Sequence, residues 1–401
     1  MTRRSQEPAP ARRLPRLAAT VVAVVSCRLL LNTARRFAYP FAPVLSRGIG
    51  VPLTAFTSII AVNQATTLLG MFFGPLADRL GYRLMMLSGL GLLTVGMFLG
   101  GILPFYAVVM AGLFLSGLGK SVFDPAYQAY FGEKVPYHRR GMVIGFVEMS
   151  WAGSTLVGIP LLAVLMDRLG WRAPFFVLGG LGIVGMAAIC LFIPGDANAS
   201  PERARILDFS RSWRPLLRQR TALGAFGFAF FASIANDNLF VVYGAWLESA
   251  FHLSIVAIGI GTSLIGAAEL CGELLTVAAA DRFGLKRSVF TGLGLSVLAY
   301  GLLPLWGRAL LPALVGLFSI FFVLEFTIVS FLSLCTELQP NSRATMMAGF
   351  FAAGGLGRII GALIGGPIWL AGGITATATV SAFISTLALG SVFWGLKRWR
   401  R

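Results

Sequence analysis

Two glutamates four residues apart, Glu269 and Glu273, lie inside an apolar run long enough to cross a bilayer. That spacing puts both carboxylates on one helix face, and Thr262, Gly266 and Thr276 continue the face. In a poorly hydrated site two such carboxylates cannot readily both ionise, which suits a proton carrier. The same pair could instead join Arg358 and Glu325 in an ion-pair cluster; the proton-carrier use is the preferred expectation. Near the amino terminus Arg28, Asn32, Arg35 and Tyr39 follow the i, i+4, i+7, i+11 spacing of one helix face. Guanidinium groups recognise carboxylate or phosphate bidentately, so Arg28 and Arg35 suit a substrate anion. They would equally serve as structural partners of Asp124, Glu148 or Asp237, and the sequence leaves both uses open. Arg36 points away from that face and reads as structural. Asn63 with Thr67, Asn236 beside Asp237, and Gly354 with Arg358 extend the polar set. The candidate substrate contacts are therefore Arg28, Asn32, Arg35, Tyr39, Asn63, Asn236 and Asp237; the candidate proton-coupling residues are Glu269, Glu273, Glu325, Arg358 and Asp124. Trp151, Tyr243 and Trp246 could stack on an organic substrate, although aromatics in such runs more often pack or anchor.

The elements that position these residues are membrane spans. Hydrophobic residues make up 57% of the 401-residue chain and charged residues only 12%, about half the charge of a soluble domain. With roughly 20 apolar residues per span, the chain accommodates twelve, near 17–45, 53–75, 84–103, 105–131, 141–166, 173–193, 218–247, 255–279, 287–305, 309–336, 344–371 and 374–396. The charged residues in their interiors occupy spans 1, 4, 5, 7, 8, 10 and 11; spans 3, 6, 9 and 12 have none there, and span 2 carries Asn63 and Thr67 instead. A charge at the bilayer centre costs about 2.5–3.5 kcal/mol, so the spared spans are expected to face lipid and the others to line a polar interior. Pro40 and Pro43 are expected to kink the first span near its outer end.

The excess of basic residues, a formal +17, follows topology rather than nucleic-acid binding. With the amino terminus in the cytoplasm and Arg218, Arg220 and Arg287 counted at the cytoplasmic ends of their spans, 24 of the 33 Lys and Arg fall on the cytoplasmic side, four on the other and five in span interiors, the asymmetry of the positive-inside rule. The basic ends then hold orientation and touch anionic lipid. The arginine-rich start followed by Val24-Val25-Ser26-Cys27 imitates a lipoprotein signal, but the apolar run continues and reads as the first span. The four cysteines all lie within apolar runs, and neither they nor His138 and His252 have metal-ligand spacing. Gly180 to Gly185 fits a dinucleotide fingerprint only formally, since no strand precedes it. Neither a cofactor nor a metal is expected, and no nucleophile–base set suggests an enzyme.

The chain also repeats itself. Asp78-Arg79-Leu80-Gly81 recurs 203 residues later as Asp281-Arg282-Phe283-Gly284, and Glu133-Lys134-Val135-Pro136 recurs at 204 as Glu337-Leu338-Gln339-Pro340. Duplicated halves in a membrane protein point to a transporter with its site between them. The stretch 194–217, rich in Pro, Ser, Asn and Arg, reads as a cytoplasmic linker between an amino-terminal bundle (1–193) and a carboxy-terminal bundle (218–401).

Gly74-Pro75-Leu76-Ala77-Asp78-Arg79-Leu80-Gly81-Tyr82-Arg83 resembles the loop 2–3 signature of the major facilitator superfamily, and Asp281-Arg282-Phe283-Gly284 its echo in loop 8–9. Gly170-Trp171-Arg172 and the Glu133–Arg140 loop are similar to it as well. The resemblance spans the whole chain. It implies an all-α membrane protein of twelve transmembrane helices in two pseudo-symmetric six-helix bundles, working by alternating access with helices 3, 6, 9 and 12 peripheral. Gly74, Asp78, Arg79, Gly81, Arg83, Asp281, Arg282 and Gly284 would then gate the path by pairing in one state and separating in the other. The arginine that many antiporters of the superfamily carry in the fourth helix is absent, its neighbourhood holding Phe114 and, further on, Lys120. The resulting expectation is a monomeric, multi-pass secondary transporter of the inner (plasma) membrane, both termini cytoplasmic. It would move a small organic solute with a proton as coupling ion, export being favoured over uptake. A transport-incompetent sensor or scaffold is the alternative from another class.

Overall fold

The computed structural model describes residues 14–135, 143, 146–195, 216–338 and 343–397. Within them every regular element is a helix, and eleven helices are long and apolar enough to cross a membrane. The last is two spans, because the backbone leaves helical geometry at Gly372 and Gly373, the latter at φ +58°. The spans are therefore twelve, numbered here in chain order: helix 1 is Leu14–Arg36, continued beyond a break by Ala42–Ile49. Helices 2, 3 and 4 are Leu53–Leu80, Tyr82–Ile102 and Tyr106–Lys134; helices 5 and 6 are Phe146–Leu169 and Ala173–Phe192. Helix 7 is Arg220–Phe240, continued by Tyr243–Phe251. Helices 8, 9 and 10 are Ile255–Phe283, Leu285–Trp306 and Leu310–Leu338. Helices 11 and 12 are the two parts of Arg343–Leu396. Most of the linker expected at 194–217 lies outside the described residues.

The repeat has a physical footing in its glycines. Gly81 and Gly284 alone separate helix 2 from helix 3 and helix 8 from helix 9, with φ of +95° and +84°, a region glycine enters at no steric cost. Arg79 and Arg282 are exposed beside these turns, and Arg83 donates to the Cys190 carbonyl at 3.0 Å. The side chains of Gly74, Asp78 and Asp281, the rest of the expected gating set, lie outside the described ones. The membrane side bearing these turns is called the turn face below, and its opposite the far face.

Close approach of backbones binds each bundle, as it must where lipid removes the hydrophobic drive between helices. A Cβ on Gly96 would sit 2.3 Å from the Gly112 carbonyl oxygen, joining helices 3 and 4; one on Gly357 would sit 2.2 Å from that of Phe230, joining helices 11 and 7. Gly182, within the run that imitates a dinucleotide loop, packs on Thr94 instead. Helices 3, 6 and 9 pack against helices of their own half, and Leu181, Val184, Leu298 and Phe383 on helices 6, 9 and 12 are exposed. Helices 3, 6, 9 and 12 are thus peripheral, whereas helix 2, whose span also lacks charge, meets helix 11 across the seam.

Helix 1 stops at Arg36 and resumes at Ala42, the chain between containing Pro40. Helix 7 breaks at the corresponding place, around Val241 and Val242. The two breaks meet: Pro40 and Gly244, 204 residues apart, pack so closely that a Cβ on Gly244 would lie 2.1 Å from the Pro40 oxygen. Helix 5 carries a π-helical turn, Ser154–Gly158, a feature common at functional sites. Around it Gly158 is closed by Thr33 of helix 1, and Gly266 of helix 8 abuts Leu156 and Thr155.

Candidate functional site

The interior charges form three groups. The first lies within the amino-terminal bundle. Arg28 donates to Glu148 at 2.7 Å and to the Val147 carbonyl at 2.8 Å, with Asp124 at 3.5 Å. Lys120 holds the other Asp124 oxygen at 2.5 Å, and the Tyr127 hydroxyl donates to Glu148 at 2.8 Å. Asn32 donates to Ser150 at 3.2 Å. Of the two uses left open for Arg28, the geometry supplies the structural partners: two cations and two carboxylates balance without a ligand.

The second group crosses between the halves. Arg36 of helix 1 grips Glu269 of helix 8 with both terminal nitrogens, at 3.0 and 2.6 Å; the side chains are 4% and 5% exposed. Thr155, in the π-helical turn, donates to the same carboxylate at 3.1 Å. The Arg36 guanidinium lies 4.3 Å from the Trp151 ring centre and 5.4 Å from that of Phe240. Arg36, set aside in the sequence as structural, is thus the partner of a candidate coupling carboxylate. Its angle within helix 1 carried no information about helix 8. Glu273 and Glu325 sit half-buried nearby, within electrostatic reach of Glu269. Neither forms an ion pair among the described residues.

The third group is a hydrogen-bonded chain at similar depth. Arg35 donates to Gln64 at 2.6 Å and to Thr67 at 2.5 Å. Gln64 donates to the Tyr39 hydroxyl, which donates to Asp237 of helix 7 at 2.8 Å. Asn236 is half-buried beside Asp237, whereas Asn63 turns to the Leu113 carbonyl at 2.5 Å. Arg358 of helix 11, half-buried, faces Trp151 at 5.8 Å. Tyr243 and Trp246 are at most 1% exposed; the Tyr243 hydroxyl hydrogen-bonds to Thr262 of helix 8 at 2.8 Å, while Trp151 lies against the Arg36 and Arg358 guanidinium groups. Gln64 and Thr155 had no signal beyond their presence in a span, whereas Glu148 is one of the partners expected for Arg28.

Across the seam, every hydrogen bond, ion pair and glycine approach with both partners described lies at mid-depth or toward the far face. They run from Thr67–Gly355 and Leu156–Gly266, through Ala163–Gly259 and Thr57–Gly366, to Pro40–Gly244. Outermost, Arg47 donates to Glu248 at 2.6 and 3.3 Å beside a far-face pocket of about 420 Å³. The far side is closed. Exposed pairs of this kind contribute about 0–1 kcal/mol, so Arg47→Ala is expected to lower stability by less than about 1 kcal/mol, read as a small shift in thermal unfolding of the purified protein.

Twelve spans in two pseudo-symmetric bundles, with buried charges converging on the seam, define a membrane transporter that works between its halves. A family profile, Major Facilitator Superfamily, matches residues 24–241, more than half of the chain. The chain belongs to that superfamily: it is a multi-pass membrane transport protein and not an enzyme. It is similar to two uncharacterized MFS-type transporters of Bacillus subtilis. One is YceJ (26% identical over 294 residues, 73% of this chain and 74% of the relative); the other is YwfA (22% over 357 residues, 87% and 85%). It is also similar to the inner membrane transport protein YdhP of Escherichia coli K12 (24% over 365 residues, 89% and 90%).

Proposed function

We propose that the protein is a proton-coupled secondary transporter exporting a small organic solute across the inner membrane, both termini and the turn face being cytoplasmic. The observation that carries this reading is the buried Arg36–Glu269 pair joining the halves, with Glu273 and Glu325 beside it in no ion pair among the described residues. Those two carboxylates can accept and release a proton without breaking a salt bridge. A proton passed on to Glu269 removes the charge that holds Arg36, so the halves can part on the far side. The proton is taken up while the site is open to the far side and is lost after the site has turned to the cytoplasm, where the re-formed Arg36–Glu269 pair holds the far side shut. The ion pair is thereby the element whose two states the proton biases. Orientation follows from the basic residues concentrated on the turn-face side.

In proteoliposomes with an imposed pH gradient, Glu269→Gln together with Glu273→Gln is expected to abolish pH-driven solute flux while leaving the protein inserted. Flux that follows the gradient unchanged in the double variant would eliminate the proposal.

A further inference from the structure

Charge at the middle of the seam is not fully matched. Of the five interior cations, Arg28, Arg36 and Lys120 are paired with carboxylates, whereas Arg35 and Arg358 are in no ion pair among the described residues. Arg35 is 6% exposed, its contacts are the neutral Gln64 and Thr67, and its Nε has no hydrogen-bond partner. Arg358 approaches it from the opposite half, within electrostatic reach. Of the carboxylates within electrostatic reach of the two guanidinium groups, Asp237 is engaged by Tyr39, Asp124 is shared by Arg28 and Lys120, and Glu325 lies toward Arg358; among the described residues none of them forms an ion pair with either arginine. Two like charges gathered in a water-poor site are costly unless something of opposite sign arrives. Beside them the half-buried Trp151 supplies an apolar, aromatic wall.

From this geometry we propose that the solute is a small organic anion whose carboxylate or phosphate head is clamped between Arg35 of one half and Arg358 of the other, with its body along Trp151. The assignment deepens the transport reading: it adds a substrate class at the same seam, and it makes the ligand a bridge between the bundles. An anion held from both sides stabilises the arrangement in which the two guanidinium groups are close, so recognition and closure are one event. A cationic solute would instead meet Asp237 and be repelled by the arginines.

The test is equilibrium stabilisation of the purified full chain in detergent, without any gradient, so that recognition is read apart from proton coupling. The probes are indole-3-acetate, benzoate and phenyl phosphate, compared with indole-3-acetamide and tryptamine. The anions are expected to raise the unfolding temperature with concentration and the amide and amine to do so far less. Arg358→Gln and Arg35→Gln should each weaken the response to anions by about tenfold or more, the usual loss on removing a charge-assisted hydrogen bond. Arg358→Lys should retain part of it, since charge survives but the bidentate fork does not; it also serves if a glutamine variant does not fold. The proposal is overturned if tryptamine or the amide stabilises as strongly as the acid, if no anion shifts unfolding, or if the arginine variants respond as wild type. Loss of proton-driven flux in the glutamate variants with anion binding intact would separate the two readings.

Discussion

Arg36→Gln is expected to cost about 3–5 kcal/mol of stability, the range for removing one partner of a buried ion pair. The size of the effect comes from what remains behind. Glu269 would keep its charge in a position 4% exposed, with the Thr155 hydroxyl as its one remaining hydrogen-bond donor among the described residues. The second half of the prediction distinguishes a clamp from a merely adjacent pair. Adding Glu269→Gln to Arg36→Gln removes the stranded charge and should recover most of the lost stability, because a neutral pair of similar volume is often tolerated where a broken pair is not. Transport coupled to protons should not recover, since the group that responds to the proton is gone. Thermal unfolding of the four proteins in the mutant cycle, with flux in proteoliposomes, reads both quantities. Additive destabilisation in the double variant would show that Arg36 and Glu269 do not act on each other.

That clamp also marks where the sequence stops being legible. The spans, their number and the peripheral position of helices 3, 6, 9 and 12 follow from composition, because a bilayer excludes charge so strongly that its distribution traces the fold. The two Asp-Arg-x-Gly turns are readable for a local reason as well: a single residue must turn the chain between two helices, and Gly81 and Gly284 do so at positive φ. The pairing of interior charges has no such local rule. Arg36 and Glu269 are 233 residues apart and belong to different bundles, so helical phase fixes the face of each but not which faces meet. Glu269 and Glu273, alike in sequence, differ for the same reason: one turn of helix 8 places the first against helix 1 and leaves the second without an ion pair among the described residues. The π-helical turn that brings Thr155 to Glu269 has no distinct pattern, and helix 5 reads as regular until its backbone is seen.

Gly244→Val is the substitution expected to act most strongly on the cycle without touching a charged group. Gly244 sits where the breaks in helices 1 and 7 cross, and even a single added carbon would lie 2.1 Å from the Pro40 oxygen and 2.7 Å from its carbonyl carbon. These are backbone atoms held by fully buried neighbours, Phe41, Ala42 and Tyr243, so no flexible side chain can yield. Overpacking of this kind costs about 1–3 kcal/mol. Here the strain exists only while the far face is closed and is relieved when the halves separate there. The substitution is therefore expected to shift the balance toward the far-open form by roughly fivefold to 150-fold, with a comparable fall in turnover. The shift can be read from a thiol introduced by Ala42→Cys, with Cys190 and Cys271 replaced by serine because both are exposed. Ala42 is 0% exposed in the closed seam, so labelling by a membrane-impermeant maleimide should be slow on its own and markedly faster when Gly244→Val is added. Equal labelling with and without the valine would mean that the seam absorbs the side chain while closed, and that the crossing of the two breaks does not control access from the far face.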